Sequence, residues 1–237
     1  MLSIIVPAKN EASILPFLFD SLDAQDFRDF EVIVADAAST DATAEVVRAR
    51  GGRTVPGGMP GPGRNLGAAA AKGDIFLFLD ADVVLSSPTF LSDALAEFER
   101  RKLDVASAMV KPLSERLSDK LMHGAYNAYA KAMERVKPHG TGACILSRRS
   151  AHAALNGFDE SVPFAEDHDY LQRAKKAGLK FALLRSHPIS VSVRRLDRDG
   201  RLRIALRFMY AGVRTIAHGS FKKMPFRYDM GGDAGAR

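Results

Sequence analysis

Two aspartates one residue apart, Asp80 and Asp82, follow the least interrupted apolar run in the chain, Ile75-Phe76-Leu77-Phe78-Leu79. Carboxylates two apart in an extended segment point the same way and offer two hard oxygen donors on one side. Such a pair can hold Mg²⁺ or Mn²⁺ together with the phosphates of a substrate. A run with no polar alternation reads as a central strand covered on both faces. Ligands of open α/β sheets bind outside the carboxyl ends of their strands, so the pair stands where a site belongs. Taken alone, the pattern reads equally as a helix cap or a solvated turn.

Other residues invite a chemical reading. Asp36, after the strand-like residues 31–35, can accept hydrogen bonds from a base or ribose, while Ser39, Thr40 and Asp41 are better placed to cap the next helix. Arg64 offers a charge-assisted contact to a diphosphate or base, or an ordinary salt bridge, and Asn65 opens an Ala-rich helix. Glu166-Asp167-His168-Asp169 begins a helix, where the macrodipole alone favours acidic residues and accounts for Asp169. His187, before Pro188 at the end of residues 181–184, is a packing residue or a ligand; Arg194-Arg195 is an anion contact or a solvated strand end.

The elements that must carry these residues alternate in a βαβ rhythm: strand 2–6, helix 10–24, strand 31–35, helix 41–50. Further helices are expected at 88–101, 114–136, 150–155, 166–177 and 201–218. The fold class is therefore α/β, with a mixed, mostly parallel central sheet flanked by helices. Residues 51–63, with six glycines and three prolines, read as a loop. One domain over 1–218 and a tail over 219–237 are expected. Arg203, Arg207 and Arg214 of the last helix form a stripe facing away from Leu202, Ala205, Leu206, Met209, Val213 and Ile216. Such a helix can lie on an anionic membrane, or cover the sheet or a partner with its apolar face.

Composition narrows the function classes. The 237 residues are 46% hydrophobic, enough for one sizeable core. No apolar run approaches the ~18 residues of a membrane span, and the opening residues lead into a strand, so a cytoplasmic protein is expected, with membrane contact at most peripheral. The single cysteine, Cys144, agrees with a reducing compartment and reads as a buried apolar residue. A net charge of +6 points to anionic partners. Nucleic acid is not among those expected, because aromatic and basic residues do not interleave. There is no phosphate-binding G-x-x-x-x-G-K-[ST], and the first strand turns through Pro7-Ala8-Lys9-Asn10-Glu11 without the glycines of a dinucleotide fold.

Seven segments in order give the chain its resemblance. Ser3-Ile4-Ile5-Val6-Pro7-Ala8-Lys9-Asn10-Glu11-Ala12, Asp36 through Ser39-Thr40-Asp41, and Arg64-Asn65 with Gly67 come first. Lys72-Gly73-Asp74 leading into Phe78-Leu79-Asp80-Ala81-Asp82, then Gly140-Thr141-Gly142-Ala143, Gly157-Phe158-Asp159-Glu160 and Glu166-Asp167 complete the series. Over nearly its full length the chain resembles a family 2 glycosyltransferase with the GT-A fold. The resemblance implies a donor site for a nucleoside diphosphate sugar at Pro7, Asn10, Glu11, Asp36, Arg64 and Asp80. It implies a Mg²⁺ or Mn²⁺ ion held by Asp82, Asp80 and His187, and a hydroxyl acceptor beside Gly140, Thr141 and Gly142. Asp167 would be the base, positioned by Glu166, in an inverting single displacement, because one base and a metal suffice where a retaining double displacement needs a nucleophile. The commonest family pattern has paired aspartates and glycine where this chain has Asp36-Ala37-Ala38. The family's processive Gln-x-x-Arg-Trp motif cannot occur in a chain without tryptophan. The competing reading is a non-catalytic nucleotide-sugar sensor or scaffold with the same fold.

Overall fold

A computed structural model describes residues 1–218, 221 and 223. Eight strands make one sheet: β1 (Leu2–Ala8), β2 (Phe30–Asp36), β3 (Arg53–Pro56), β4 (Ile75–Leu79), β5 (Val83–Val84), β6 (Val105–Pro112), β7 (Cys144–Arg148) and β8 (Phe181–Val191). Their order across the sheet is β3-β2-β1-β4-β7-β6-β8-β5. The first four positions are parallel, with Leu2 opposite both Phe30 and Ile75. β7 runs antiparallel to β4 and β6, and β6 pairs parallel with β8. This is the mixed, mostly parallel sheet with flanking helices that the alternation of elements implied.

Alternate residues of the central strands enter different cores. Ile4, Val6, Leu77 and Leu79 join one cluster, with Leu15, Phe19 and Phe98. Ile5, Phe76 and Phe78 join the other, with Phe158 and Tyr170. A strand with apolar residues at every position is stable only when both faces are covered, and here they are. Cys144 lies buried in the first cluster, where burial pushes its thiol up to about 12.

The helices are α1 (Leu15–Asp23), α2 (Thr43–Ala49), α3 (Pro60–Ala70), α4 (Phe90–Arg100), α5 (Leu117–Met133), α6 (Arg149–Ala154), α7 (Glu166–Lys176), α8 (Arg194–Asp199) and α9 (Arg201–His218). Three differences from the sequence reading matter to the site. Residues 51–63 are not a loop: they hold β3 and the first turn of α3, with Pro60 at the helix start, where its missing N–H costs nothing. A Cβ on Gly57 would lie 2.4 Å from the Ala35 carbonyl, so glycine there lets the chain fold back against β2. The first helix begins at Leu15 instead of residue 10, because Asn10 takes a φ of +52° and the next residues turn.

The third difference concerns β8, which runs unbroken from Phe181 to Val191 through His187-Pro188. The register against β6 slips between Ala108 and Val110, a bulge that accommodates a proline with no N–H to give. Glu97 of α4 accepts the backbone N–H groups of Arg185 (2.9 Å) and Ser186 (2.8 Å) beside it. Beyond β8, the expected strand end at Arg194-Arg195 is the first turn of α8. On α9, Leu202 and Leu206 face outward while Ile204 is buried. Of the expected apolar face, Met209, Val213 and Ile216 lie outside the described side chains, as does most of the tail after 218.

Candidate active site

The site is assembled where β1, β2 and β4 end and α3, α7, α8 and the 140–143 loop meet them. At its centre is Arg64, on the second turn of α3 and only 2% exposed. Its guanidinium bonds Glu166 at 2.6 Å, Asp80 at 2.8 Å and the Gly142 carbonyl at 3.3 Å, and stands 5.3 Å from the Phe158 ring centre. Burial works against its charge, but Asp80, Glu166 and Asp167 outweigh that and push its pKa above the ordinary arginine value. Of the two readings of Arg64, a ligand contact or a salt bridge, the geometry shows the ion pairs. Arg64 is enclosed beneath the carboxylates and orders them.

The acidic residues are held with different degrees of freedom. Burial raises the Glu166 carboxyl above its ordinary value, against the pull of Arg64 and reinforced by Asp167. Asp80 is likewise raised by burial, opposed by Arg64 and reinforced by Asp82 and Asp167. Asp167 accepts the Gly142 N–H at 2.7 Å on one oxygen and the His168 N–H at 2.8 Å on the other, so its orientation is fixed by backbone. A Cβ on Gly142 would lie 2.7 Å from an Arg64 terminal nitrogen, which explains the glycine. Ala165, preceding Glu166, adopts φ +57° and ψ +37°, a left-handed conformation that costs a non-glycine residue of order 1 kcal/mol. The rest of the loop is fixed from below, where Thr141 N–H donates to Ser107 Oγ at 3.2 Å and Gly140 packs against Ser107 and Leu171.

On the other side, Asn10 and Asp36 turn out to bind the protein's own turn. Asn10 Oδ1 accepts the Thr40 N–H at 2.7 Å, and the Asn10 N–H donates to Ser39 Oγ at 2.8 Å. Asp36 accepts the Ser39 N–H (3.2 Å) and hydroxyl. Together these stitch the end of β1 to the β2–α2 turn, in which Ala38 carries φ +54°. Pro7 closes β1, and a Cβ on Gly63 of α3 would come 3.2 Å from it. Asn65 pins the 157–160 turn, giving its amide to the Phe158 carbonyl at 2.9 Å and accepting the Phe158 N–H at 2.8 Å.

Arg194 is the residue that sequence reasoning undervalued. From the first turn of α8 it donates to Glu11 at 2.6 Å and approaches Asp82 at 3.4 Å, bringing residues from the two ends of the chain together. The other Glu11 oxygen is buried without a partner. Burial raises the Glu11 carboxyl, against the pull of Arg194. The only signal was a basic pair after a strand, and nothing in its spacing identifies the carboxylates it meets.

His187 is not brought to Asp82. Its Nε2 lies 2.7 Å from Asp93 of α4, and its ring stands 6.0 Å from that of Phe90. The residue that adjoins Asp82 is Ser192, whose N–H donates to the Asp82 carbonyl at 3.0 Å. Ser192 lies five residue steps beyond His187, roughly 16 Å of extended chain. Among the described residues no three His, Cys, Asp or Glu side chains gather closely enough to hold a metal by themselves. The Asp80–Asp82 pair nonetheless suits a divalent ion shared with a ligand. Both side chains are partly exposed, at 40% and 29%. Around them Glu11, Glu166 and Asp167 add carboxylates that Arg64, Arg194 and Arg195 do not fully balance. A diphosphate entering this surplus of negative charge needs a cation.

Comparison with known proteins places this arrangement. The model of the family described as "Glycosyl transferase family 2" matches residues 3–155. The pre-mycofactocin glycosyltransferase of Mycobacterium tuberculosis is 30% identical over 231 residues, covering 89% of this chain and 46% of that protein. The poly(ribitol-phosphate) beta-N-acetylglucosaminyltransferase TarS of Staphylococcus aureus is 34% identical over 124 residues, covering 48% of this chain and 22% of that protein. The chain thus spans less than half the length of these relatives. Among solved structures, the mannosyltransferase PcManGT from Pyrobaculum calidifontis in complex with GDP-Man and Mn²⁺ superposes with a TM-score of 0.73 at 21% identity, covering 92% of this chain and 65% of that one. TarS residues 1–349 in complex with UDP-GlcNAc give 0.64 at 23% identity, covering 81% of this chain and 58% of that one. These likenesses establish the GT-A fold, and with the family match over residues 3–155 the chain belongs to glycosyl transferase family 2.

Proposed function

We propose that this cleft transfers a sugar from a nucleoside diphosphate sugar to a hydroxyl acceptor, with inversion, in the presence of Mg²⁺ or Mn²⁺. The observation that carries the reading is Asp167, a carboxylate oriented by two backbone N–H groups and set beside the Asp80–Arg64–Glu166 network. Asp167 takes the proton of the acceptor hydroxyl, and Glu166 holds the acceptor side in register through Arg64. Asp82, with Asp80, would hold a divalent ion, which when bound would supply the positive charge that neutralises a departing diphosphate. Arg194 turns from Asp82 toward that diphosphate, and Glu11, with its spare oxygen, takes a donor hydroxyl. PcManGT, solved in complex with GDP-Man and Mn²⁺, supports a metal-linked donor site. In this reading the chain works in the cytoplasm, with α9 meeting the inner face of an anionic membrane.

The test is made on stability and turnover together. UDP or GDP should raise the melting temperature more with Mn²⁺ than without it, because a ligand that binds only the folded state stabilises by mass action. Asp82→Ala should abolish the metal-dependent part. Asp167→Asn should keep donor stabilisation while turnover falls on the order of 10²- to 10⁴-fold. Normal turnover in Asp167→Asn sinks the catalytic assignment. Donor binding without turnover in the wild type, over a panel of acceptors, would favour the sensor.

A further inference from the structure

A helix on a protein surface ordinarily turns one apolar stripe inward; α5 packs Tyr126 and Ala130 inward and shows a second apolar stripe to the outside. Its inner face carries Asp119, fully buried, and Asn127, whose side chain bonds both the N–H (2.9 Å) and the carbonyl (2.8 Å) of Val110 on β6. Its outer face carries Leu117 (70% exposed) and Leu121 (64%), continued by the exposed Gly124 and Ala128. The spacing i, i+4, i+7, i+11 is one stripe along the helix. Leu113 before the helix and Val136 after it are exposed as well, at 47% and 73%. Large apolar residues exposed in a row mark a contact surface.

The charges around this stripe indicate what it meets. Over residues 111–137 the exposed charged side chains are Lys111, Arg116, Lys120, Lys131 and Arg135 on the basic side and Glu115 alone on the acidic side. Glu115 pairs with Lys120, and Asp197 of α8 with Arg116, which leaves the face net positive. A second copy of the chain docked face to face would set these basic groups against one another. An anionic lipid surface complements them and takes up the leucines. At the N-terminal end of α5, Asp119 is locked to Arg201 of α9 at 2.6 and 3.0 Å. α9 shows its own exposed stripe of Leu202, Leu206 and Tyr210.

We propose that the outer face of α5 docks on an anionic lipid bilayer. The chain leads from α5 into the 140–143 loop, and Tyr129 of α5 bonds His139 beside it, so docking brings the Gly140–Gly142 loop close to the membrane. Resting on the proposed transfer reaction, this names the acceptor class as a hydroxyl borne by a lipid or lipid-anchored molecule. The docking itself needs no part of that reaction.

The experiment is sedimentation of the purified chain with vesicles of phosphatidylglycerol and phosphatidylcholine, or of phosphatidylcholine alone. The wild type should bind the mixed vesicles and not the neutral ones, with affinity falling as salt rises. Lys120→Gln with Lys131→Gln should weaken binding about 30-fold, at about fivefold per basic residue near the surface. Leu117→Gln with Leu121→Gln should weaken it about tenfold or more. Melting temperature and UDP–Mn²⁺ stabilisation are read on the same proteins and should not change, because all four side chains are exposed. Equal binding to both vesicle types, or variants that bind like wild type, overturns the proposal. So does a wild-type dimer in sedimentation velocity that the leucine variant dissolves, which would give the face to a second copy. Vesicle binding without nucleotide stabilisation would leave the docking intact and remove the transfer reading instead.

Discussion

The two sides of the cleft are built in opposite ways. On the side of Asp36 and Asp82, β1, β2 and β4 run parallel in register and bury most of their side chains, and the polar residues at the ends of β1 and β2 bind one another's turns. On the side of the 140–143 loop, β7 reverses direction and β8 bulges around Pro188. There the Gly140–Gly142 loop hangs on side chains from β6, α3 and α7, and α5 shows leucines to the outside. A parallel sheet with both faces covered is over-determined by its own hydrogen bonds and core. The 140–143 loop, with little secondary structure of its own, is held largely by polar contacts to neighbouring elements, and Arg64 shares in them with Asp167 and Ser107.

Replacing Arg64 tests that contrast most severely. Arg64→Met removes the one guanidinium that Asp80, Glu166 and the Gly142 carbonyl share. Breaking a buried ion pair from one side typically costs about 3–5 kcal/mol, because the partners remain buried without compensation. Urea unfolding at neutral pH should show a loss of this size, and hydrogen exchange should rise first in the 140–143 loop and α7. A loss below about 1 kcal/mol would mean that the 140–143 loop does not hang on Arg64.

Acid should also loosen the packing around two buried histidines. His139, next to the loop, donates from Nδ1 to the Lys137 carbonyl at 2.6 Å and accepts the Tyr129 hydroxyl at Nε2 at 3.2 Å, a neutral imidazole with both nitrogens used. Burial holds His139 down to about 4, and burial with the charges of Arg173 and Arg149 does the same for His152. Between the ordinary imidazole value near 6.5 and about 4, the unfolded chain takes up protons that the folded chain refuses. Their contribution is therefore complete above pH 6.5 and is lost as pH falls toward 4, by about 2 kcal/mol each at pH 5. Melting curves at pH 7 and pH 5 measure this, and His139→Gln, which keeps a donor and an acceptor, should shrink the difference. An unchanged pH dependence would place the acid sensitivity elsewhere.

The smallest effect belongs to the turn after β2. Ala38 holds φ +54° in the turn after β2, where glycine sits without steric cost. Ala38→Gly relieves a left-handed strain of about 1–2 kcal/mol and adds unfolded-chain entropy worth about 0.4–1 kcal/mol, leaving a gain of about 0.5–1 kcal/mol. Thermal unfolding should show a rise of a few degrees at most. A fall would mean that neighbouring contacts of the Ala38 methyl outweigh the strain.

Much of the fold can be read without coordinates. The unbroken apolar run at 75–79, the alternation of strands and helices, and the carboxylates at the end of the buried strand all follow from local periodicity. The mixed parallel sheet requires little more than that pattern. Glu166-Asp167 was likewise visible as an acidic opening to a helix, although the macrodipole explains such a turn equally well. The 51–63 segment was misread because its glycines and prolines, taken as loop signals, serve a close approach to Ala35 and a helix start.

What only the tertiary structure decided is which charge meets which. Arg64 has Glu166 as a partner 102 residues away, and Arg194 has Glu11 183 residues away. His187, expected at the ion, lies beside Asp93 because a proline bulge and a run of strand carry it along β8 away from Asp82. Hydrophobic periodicity is local and is written into neighbouring residues, so the sequence by itself determined the sheet and the strand-end carboxylates. Ion pairing depends on distance in space and on burial, both set when remote elements pack, and so the wiring of the site emerged only in the fold.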